Sequence, residues 1–162
     1  MPLQLSHSEV VNQKAIKEIS IICDGITSPE NMGLIIRLAD AFDVKSIHFY
    51  GLESLPKKAE KVARSASRWI NIIKMKSELQ ASDIASFPSK VIALELTKKS
   101  GSIKHFENPE QAIAIVIGNE KGGVSEACLE AIEHHVHIPM FGKNSSINVS
   151  TALAIALFQF QH

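Results

Sequence analysis

Six short apolar runs, residues 20–23, 46–50, 71–75, 91–96, 114–118 and 136–140, alternate along the chain with stretches of helical pattern. Each run is too uniformly apolar to leave one face in water. The sheet they build must therefore be covered on both faces, and regular strand–helix alternation makes it mostly parallel. The expectation is an α/β fold: a mostly parallel six-stranded sheet with helices on both faces, in a single domain over residues 1–162 with 1–19 as a short N-terminal extension. A chain of 162 residues can bury such a core without staples.

The helical stretches differ in what they offer. Over residues 31–42, Met32, Leu34, Ile35, Leu38, Ala39 and Phe42 recur at helical spacing, while Gly33, Arg37 and Asp40 share one narrow stripe. That stripe is either a solvated face, with a weak i,i+3 pair between Arg37 and Asp40, or it meets a partner. Over residues 56–67, Ala59, Val62, Ala63 and Ala66 point inward, and Lys57, Lys61, Arg64 and Arg68 share the outer face. From 57 to 76 seven basic residues stand against one acidic, in a chain whose 17 basic and 17 acidic side chains cancel. This face is either simply solvated or a surface for phosphates. Trp69 is expected to pack where that helix ends, and residues 8–18 to form a surface helix. The last helix, 148–160, carries Val149, Ala152, Leu153, Ala154, Ile155, Ala156, Leu157, Phe158 and Phe160, almost without a polar face. Such a helix needs cover on all sides, from the sheet on one and from a second subunit or a close neighbouring helix on the other.

Two of the strands empty into loops of Gly, Asn and Ser. The first loop is Gly118-Asn119-Glu120-Lys121-Gly122-Gly123; the second, residues 142–150, launches the last helix, whose first amides are unpaired. In an open α/β sheet this is how a ligand crevice arises at strand ends. Gly118 and Gly123 have P-loop spacing, but Val124-Ser125 follows where the phosphate-binding lysine would stand, which argues against a nucleoside triphosphate. Plain tight turns would account for Gly and Ser and leave Glu120 without a purpose.

Several classes are excluded or disfavoured. Cys23 and Cys128 lie 105 positions apart and no leader precedes the first strand, so a reduced, cytoplasmic chain is expected. No run approaches the roughly 20 apolar residues of a membrane span. Aromatics at 6% are too few for a sheet-wide base-stacking platform. Of His134, His135 and His137, the residues 135 and 137 project from one strand face without a third ligand at helical spacing, so no metal is expected. The two cysteines read as buried thiols in preference to nucleophiles.

Three spaced segments together carry a resemblance. Asn31-Met32-Gly33 with Arg37, then Ile117-Gly118-Asn119-Glu120 with Gly123, then Ile138-Pro139-Met140 with Ser146-Ile147-Asn148-Val149-Ser150, resemble the three motifs of the SpoU-type RNA ribose 2′-O-methyltransferases of the SPOUT class. Two departures stand out: Ile147 where leucine is usual, and Asp43 where a glycine follows Phe42. The resemblance covers nearly the whole chain. It implies S-adenosylmethionine as donor, RNA as acceptor, a homodimer, and a C-terminal trefoil knot that forms the donor cleft. It further implies catalytic positions at Arg37, Asn31, Glu120, Ser146 and Asn148, and donor contacts at Leu94, Gly118, Ile138 and Ile147. A guanidinium is a poor proton acceptor in water, so Arg37 is read first as a group that stabilises a developing alkoxide, with base action left open. About nineteen residues before the first strand are too few for an added RNA-binding domain, which favours transfer RNA over ribosomal RNA and assigns RNA contact to Lys57, Lys61, Arg64 and Arg68. The rival reading is an RNA-binding module of the same fold without catalysis.

Overall fold

A computed structural model of the chain describes residues 9–11, 13–107 and 109–161. Its strands are β1 (Ile19–Asp24), β2 (Ser46–Tyr50), β3 (Asn71–Met75), β4 (Lys90–Leu94), β5 (Gly101–Ser102), β6 (Ile113–Gly118) and β7 (His134–His137). The helices are α1 (Pro29–Ala41), α2 (Lys57–Ala63), α3 (Ala81–Ser86), α4 (Glu126–Ala131) and α5 (Val149–Phe160). Every strand pair is parallel, in the order β3-β2-β1-β6-β4-β7-β5. The sheet therefore has seven strands and not the six expected. The seventh, β5, is two residues within a stretch that reads as loop; it exists only by pairing with β7, Gly101 against Val136 and Ser102 against His137, and so leaves no periodic signal.

The alternation of each central strand sorts its side chains into two cores. Ile19, Ile21 and Cys23 of β1, Ile113, Ile115 and Ile117 of β6, and Ile92 and Leu94 of β4 pack with α1, α2 and α5. Ile22, Ala93, Ala114 and Val116 face the other way, onto Ile84 of α3 and Cys128 of α4. Both faces are thus covered. Each fully buried isoleucine contributes about 1.5–3 kcal/mol, whereas an exposed pair such as Lys45–Glu18 at 2.6 Å adds at most about 1 kcal/mol. Apolar burial holds this fold.

Helix α1 starts where Ser28 accepts a hydrogen bond from the Asn31 amide and Pro29 takes the first turn. It crosses α2 closely at Gly33: a Cβ there would lie 2.5 Å from the Val62 Cβ and 2.7 Å from the Ala59 carbonyl oxygen. The chain leaves α1 with Asp43 at φ +51, the left-handed geometry that glycine usually supplies.

Three expectations fail locally. Helix α2 stops at Ala63, and Arg64, at φ +55 and ψ −131, turns the chain into a 3₁₀ segment, Arg64–Arg68. Lys57, Lys61, Arg64 and Arg68 are all exposed but do not lie along one α-helical face. Ala66 is buried as expected, but Trp69, expected to pack, is 76% exposed. The described residues of 8–18 form no helix; residues 8 and 12 lie outside them. Instead the amides of Ile16 and Lys17 donate to the Oε1 of Gln161, whose Nε2 donates to the carbonyls of Lys17 and Phe42.

Candidate active site

Strand order reverses direction at the centre of the sheet: from β1 the chain builds outward through β2 and β3, then returns to place β6, β4, β7 and β5 on the other side. A crevice at the carboxyl ends of the strands beside such a switch point is the usual ligand site of open α/β sheets. Here it is a cleft of ≈ 750 Å³ between the ends of β4, β6 and β7 and the start of α5. All four expected donor contacts, Leu94, Gly118, Ile138 and Ile147, line it.

Glycine at 118 is demanded by geometry. A Cβ would lie 2.0 Å from the Gly123 carbonyl carbon and the Val124 nitrogen, because the loop folds back over it through paired Asn119 and Gly123 backbone bonds of 3.0 and 2.9 Å. Three side chains pin this loop. Asn119 donates to the Gly25 carbonyl at 2.7 Å and accepts from the amides of Lys121 and Gly122. Glu95 accepts from the Val124 and Leu96 amides, and Asp24 from the Ser125 amide at 2.8 Å. No pattern in the sequence marks these three contacts. A carboxylate directly after Leu94 at a strand end was the available signal for Glu95.

At the rim, Glu120 accepts from the Thr27 amide and hydroxyl, from the Ser28 amide at 3.0 Å, and from Asn31 Nδ2 at 2.9 Å. Asn31 in turn accepts at its Oδ1 from Asn148 Nδ2, also at 2.9 Å. Asn148 caps α5, its Oδ1 taking the Ser150 amide at 2.8 Å, the Ser150 hydroxyl at 2.6 Å and the Thr151 amide at 3.4 Å. One chain of side-chain hydrogen bonds thus joins the loop after β6 to the starts of α1 and α5. Partial burial would raise the Glu120 carboxyl, but the bonds from Asn31, its own backbone, Ser28 and Thr27 outweigh it and lower it to about 2. Glu120 is a fixed anion.

Of the five expected catalytic residues, Asn31, Glu120 and Asn148 meet in this chain. Ser146 lines the cleft but makes no hydrogen bond among the described residues. Arg37 does not line the cleft; it is exposed on α1, six residues past Asn31, and neither pairs with Asp40 nor makes another polar contact among the described residues. Cys23 and Cys128 are buried free thiols, and burial raises both. His135 and His137 bond to Thr97 and Ser100. Among the described residues no group of three metal-ligating side chains occurs, and no helix is long and apolar enough to cross a membrane.

Fold and site together define an α/β protein with a nucleoside-sized cleft at its strand ends and an anchored carboxylate at the rim. Residues 18–158 match the model of the SpoU rRNA Methylase family, and the chain belongs to that family. Among its relatives, the tRNA (guanosine(18)-2′-O)-methyltransferase of Aquifex aeolicus is 27% identical over 98% of this chain and 75% of its own length. The 23S rRNA (guanosine-2′-O-)-methyltransferase RlmB of Neisseria meningitidis is 28% identical over 92% of this chain and 60% of its own length. The crystal structure of the A. aeolicus TrmH/SpoU tRNA modifying enzyme superposes with a TM-score of 0.76 at 26% identity, over 91% of this chain and 76% of that one. An AdoMet-bound rRNA methyltransferase from Sinorhizobium meliloti shares the fold, with a TM-score of 0.79 at 22% identity, over 88% of this chain and 55% of that one. The chain spans well under the full length of these relatives.

Proposed function

We propose that this chain methylates RNA on a ribose 2′-hydroxyl, taking the methyl group from S-adenosylmethionine and acting on transfer RNA, in the cytoplasm. The conjunction of the cleft with the anchored Glu120–Asn31–Asn148 chain at its rim carries the reading. Apolar side chains of Leu94, Ile138 and Ile147 suit the faces of an adenine, backbone groups at the strand ends suit its edge, and ≈ 750 Å³ suits a nucleoside. The donor, when bound, supplies an electrophilic methyl group.

The chain's own residues then position and stabilise. Glu120 holds Asn31 and the start of α1; Asn148 holds the same amide from the other side; Ser146 offers a hydroxyl within the cleft wall. Arg37, charged and without a polar partner among the described residues, is available to stabilise a developing alkoxide or an adjacent phosphate. Lys57, Lys61, Arg64 and Arg68 are proposed to hold the RNA backbone. Leu34 on α1 and Ile155 on α5 are 38% and 40% exposed, which supports a homodimer through these helices and gives Arg37 a route to a neighbouring cleft. The C-terminal knot belongs to the same reading, supported by the fold-level likeness to solved methyltransferases. Ribosomal RNA is the second substrate reading, favoured by the Neisseria relative's name.

Calorimetry tests this directly. S-adenosylmethionine should bind at one site per chain and ATP should not, and Ile147→Asp should abolish binding by burying an unpaired carboxylate against the donor. Methyl incorporation into unmodified transfer RNA and ribosomal RNA transcripts, with the modified position mapped, then separates the substrates. Binding of ATP alone would remove the proposal.

A further inference from the structure

Trp69 is the chain's only tryptophan, and it is 76% exposed. A single apolar side chain on a surface needs no explanation by itself. This one follows Arg68 directly and ends a run in which Lys57, Lys61, Arg64 and Arg68 are exposed and unpaired among the described residues. Lys74, just beyond on β3, is exposed and unpaired in the same sense. Nearby charge is not neutralised: Glu30 takes Lys58 and Glu53 takes Lys76, while Glu60 is the only acidic residue between 57 and 76. Cations beside an edge strand such as β3 also guard against edge-to-edge pairing. That purpose explains the lysines and not an exposed indole, which works against it.

The backbone also favours a ligand here. Helix α2 packs on α1 and ends at Ala63, so Trp69 lies outside it. Arg64 adopts φ +55, a conformation glycine prefers, and the 3₁₀ turn that follows presents Arg68 and Trp69 outward together. An aromatic face flanked by guanidinium and ammonium groups matches one chemistry well: an unpaired base to stack, with phosphates on either side.

We propose that Trp69 is a stacking platform for an unpaired base of the RNA substrate, with Lys61, Arg64 and Arg68 holding the flanking phosphates. The inference rests on the reading of this chain as an RNA methyltransferase and adds that the RNA is engaged through a single-stranded or looped segment. A duplex offers no free base face to the indole.

The sole tryptophan reports on its own contact. A short uridine oligomer should quench its emission saturably, less so as salt rises, and an RNA duplex of the same length should not. Trp69→Ala should weaken oligomer binding, followed by anisotropy of a labelled strand, about 5- to 100-fold, with Trp69→Phe recovering most of the loss. Calorimetric binding of S-adenosylmethionine and the melting temperature should not change in either variant. If the labelled oligomer binds while Trp69 emission and Trp69→Ala affinity stay unaltered, the platform is refuted and the wider RNA reading survives. If neither oligomer nor transfer RNA binds and no RNA is methylated, both fall. A shift of emission with protein concentration in the absence of RNA would assign Trp69 to a protein interface and overturn the inference.

Discussion

At the scale of single residues, the site is governed by hydrogen bonds that fix charge and orientation. Glu120 illustrates the sign of its own pH dependence. Its carboxyl lies near 4.5 when free and about 2 in the fold, so its stabilising bonds are intact above about 4.5 and are lost as pH falls through about 2. The side-chain amide resonances of Asn31 should therefore hold steady on acidification and move only near the lower value; an inflection near 4.5 would show that the carboxylate is not anchored. Asn148 serves both the α5 cap and Asn31. Asn148→Ala should cost about 2 kcal/mol, from the lost cap and from leaving the buried Asn31 oxygen short of a donor. Asn148→Asp keeps the cap but sets an oxygen against the Asn31 Oδ1 where an N–H stood, so its melting temperature should return only part of the way to the parent while methyl transfer stays low. Equal turnover in parent and aspartate variants would remove the Asn148–Asn31 contact from the mechanism.

Among elements, the close crossing of α1 and α2 positions both Asn31 and the basic segment. Gly33→Ala forces a methyl group to 2.5 Å from Val62 and 2.7 Å from a backbone oxygen, so the helices must separate. A loss of about 1–3 kcal/mol is expected in chemical denaturation, and Val62→Gly, which removes both the Cβ and the Cγ1 that the new methyl would meet, should cost less in the Gly33→Ala chain than in the parent. An equal cost in both backgrounds would mean that the Ala59 backbone, and not the Val62 side chain, sets the limit. This element scale is also where sequence was most and least informative. The long apolar strands and α1 were legible because buried runs and helical spacing leave a strong signal in Ile19–Asp24, Ile113–Gly118 and Pro29–Ala41. Leu94, Gly118, Ile138 and Ile147, the positions at which the family resemblance implies donor contacts, line one cleft. What pattern could not reveal depends on tertiary context: β5 forms only against β7, α2 breaks at Arg64 although no glycine or proline stands there, and Glu95, Asn119 and Asp24 find their partners 29 to 101 residues away. Side-chain spacing along one segment carries no information about such contacts.

For the whole molecule, α5 is the element that the sequence marked as needing cover on every side, and within one chain it receives cover on one. Leu153, Ala156, Leu157 and Phe160 are buried against the sheet and α1, while Ile155 remains 40% exposed. Leu157 belongs to the monomer's own core, so an interface is probed better at the outer position: Ile155→Lys should shift sedimentation from dimer toward monomer with little change in far-ultraviolet circular dichroism. A parental variant that already sediments as a monomer at micromolar concentration would rule out this interface. The strand order has a further consequence for how the molecule comes into being. Strand β6 lies between β1 and β4, yet both neighbours precede it in the chain, and α5, which seals the face of all three, comes later still. A growing polypeptide therefore emerges with its central sheet position vacant and one side of its interior bare for most of its synthesis. Completion of this core waits for β6 and α5 to be made, so until then the nascent chain carries an unfinished sheet, and the cleft at the ends of β4, β6 and β7 cannot form before α5 exists.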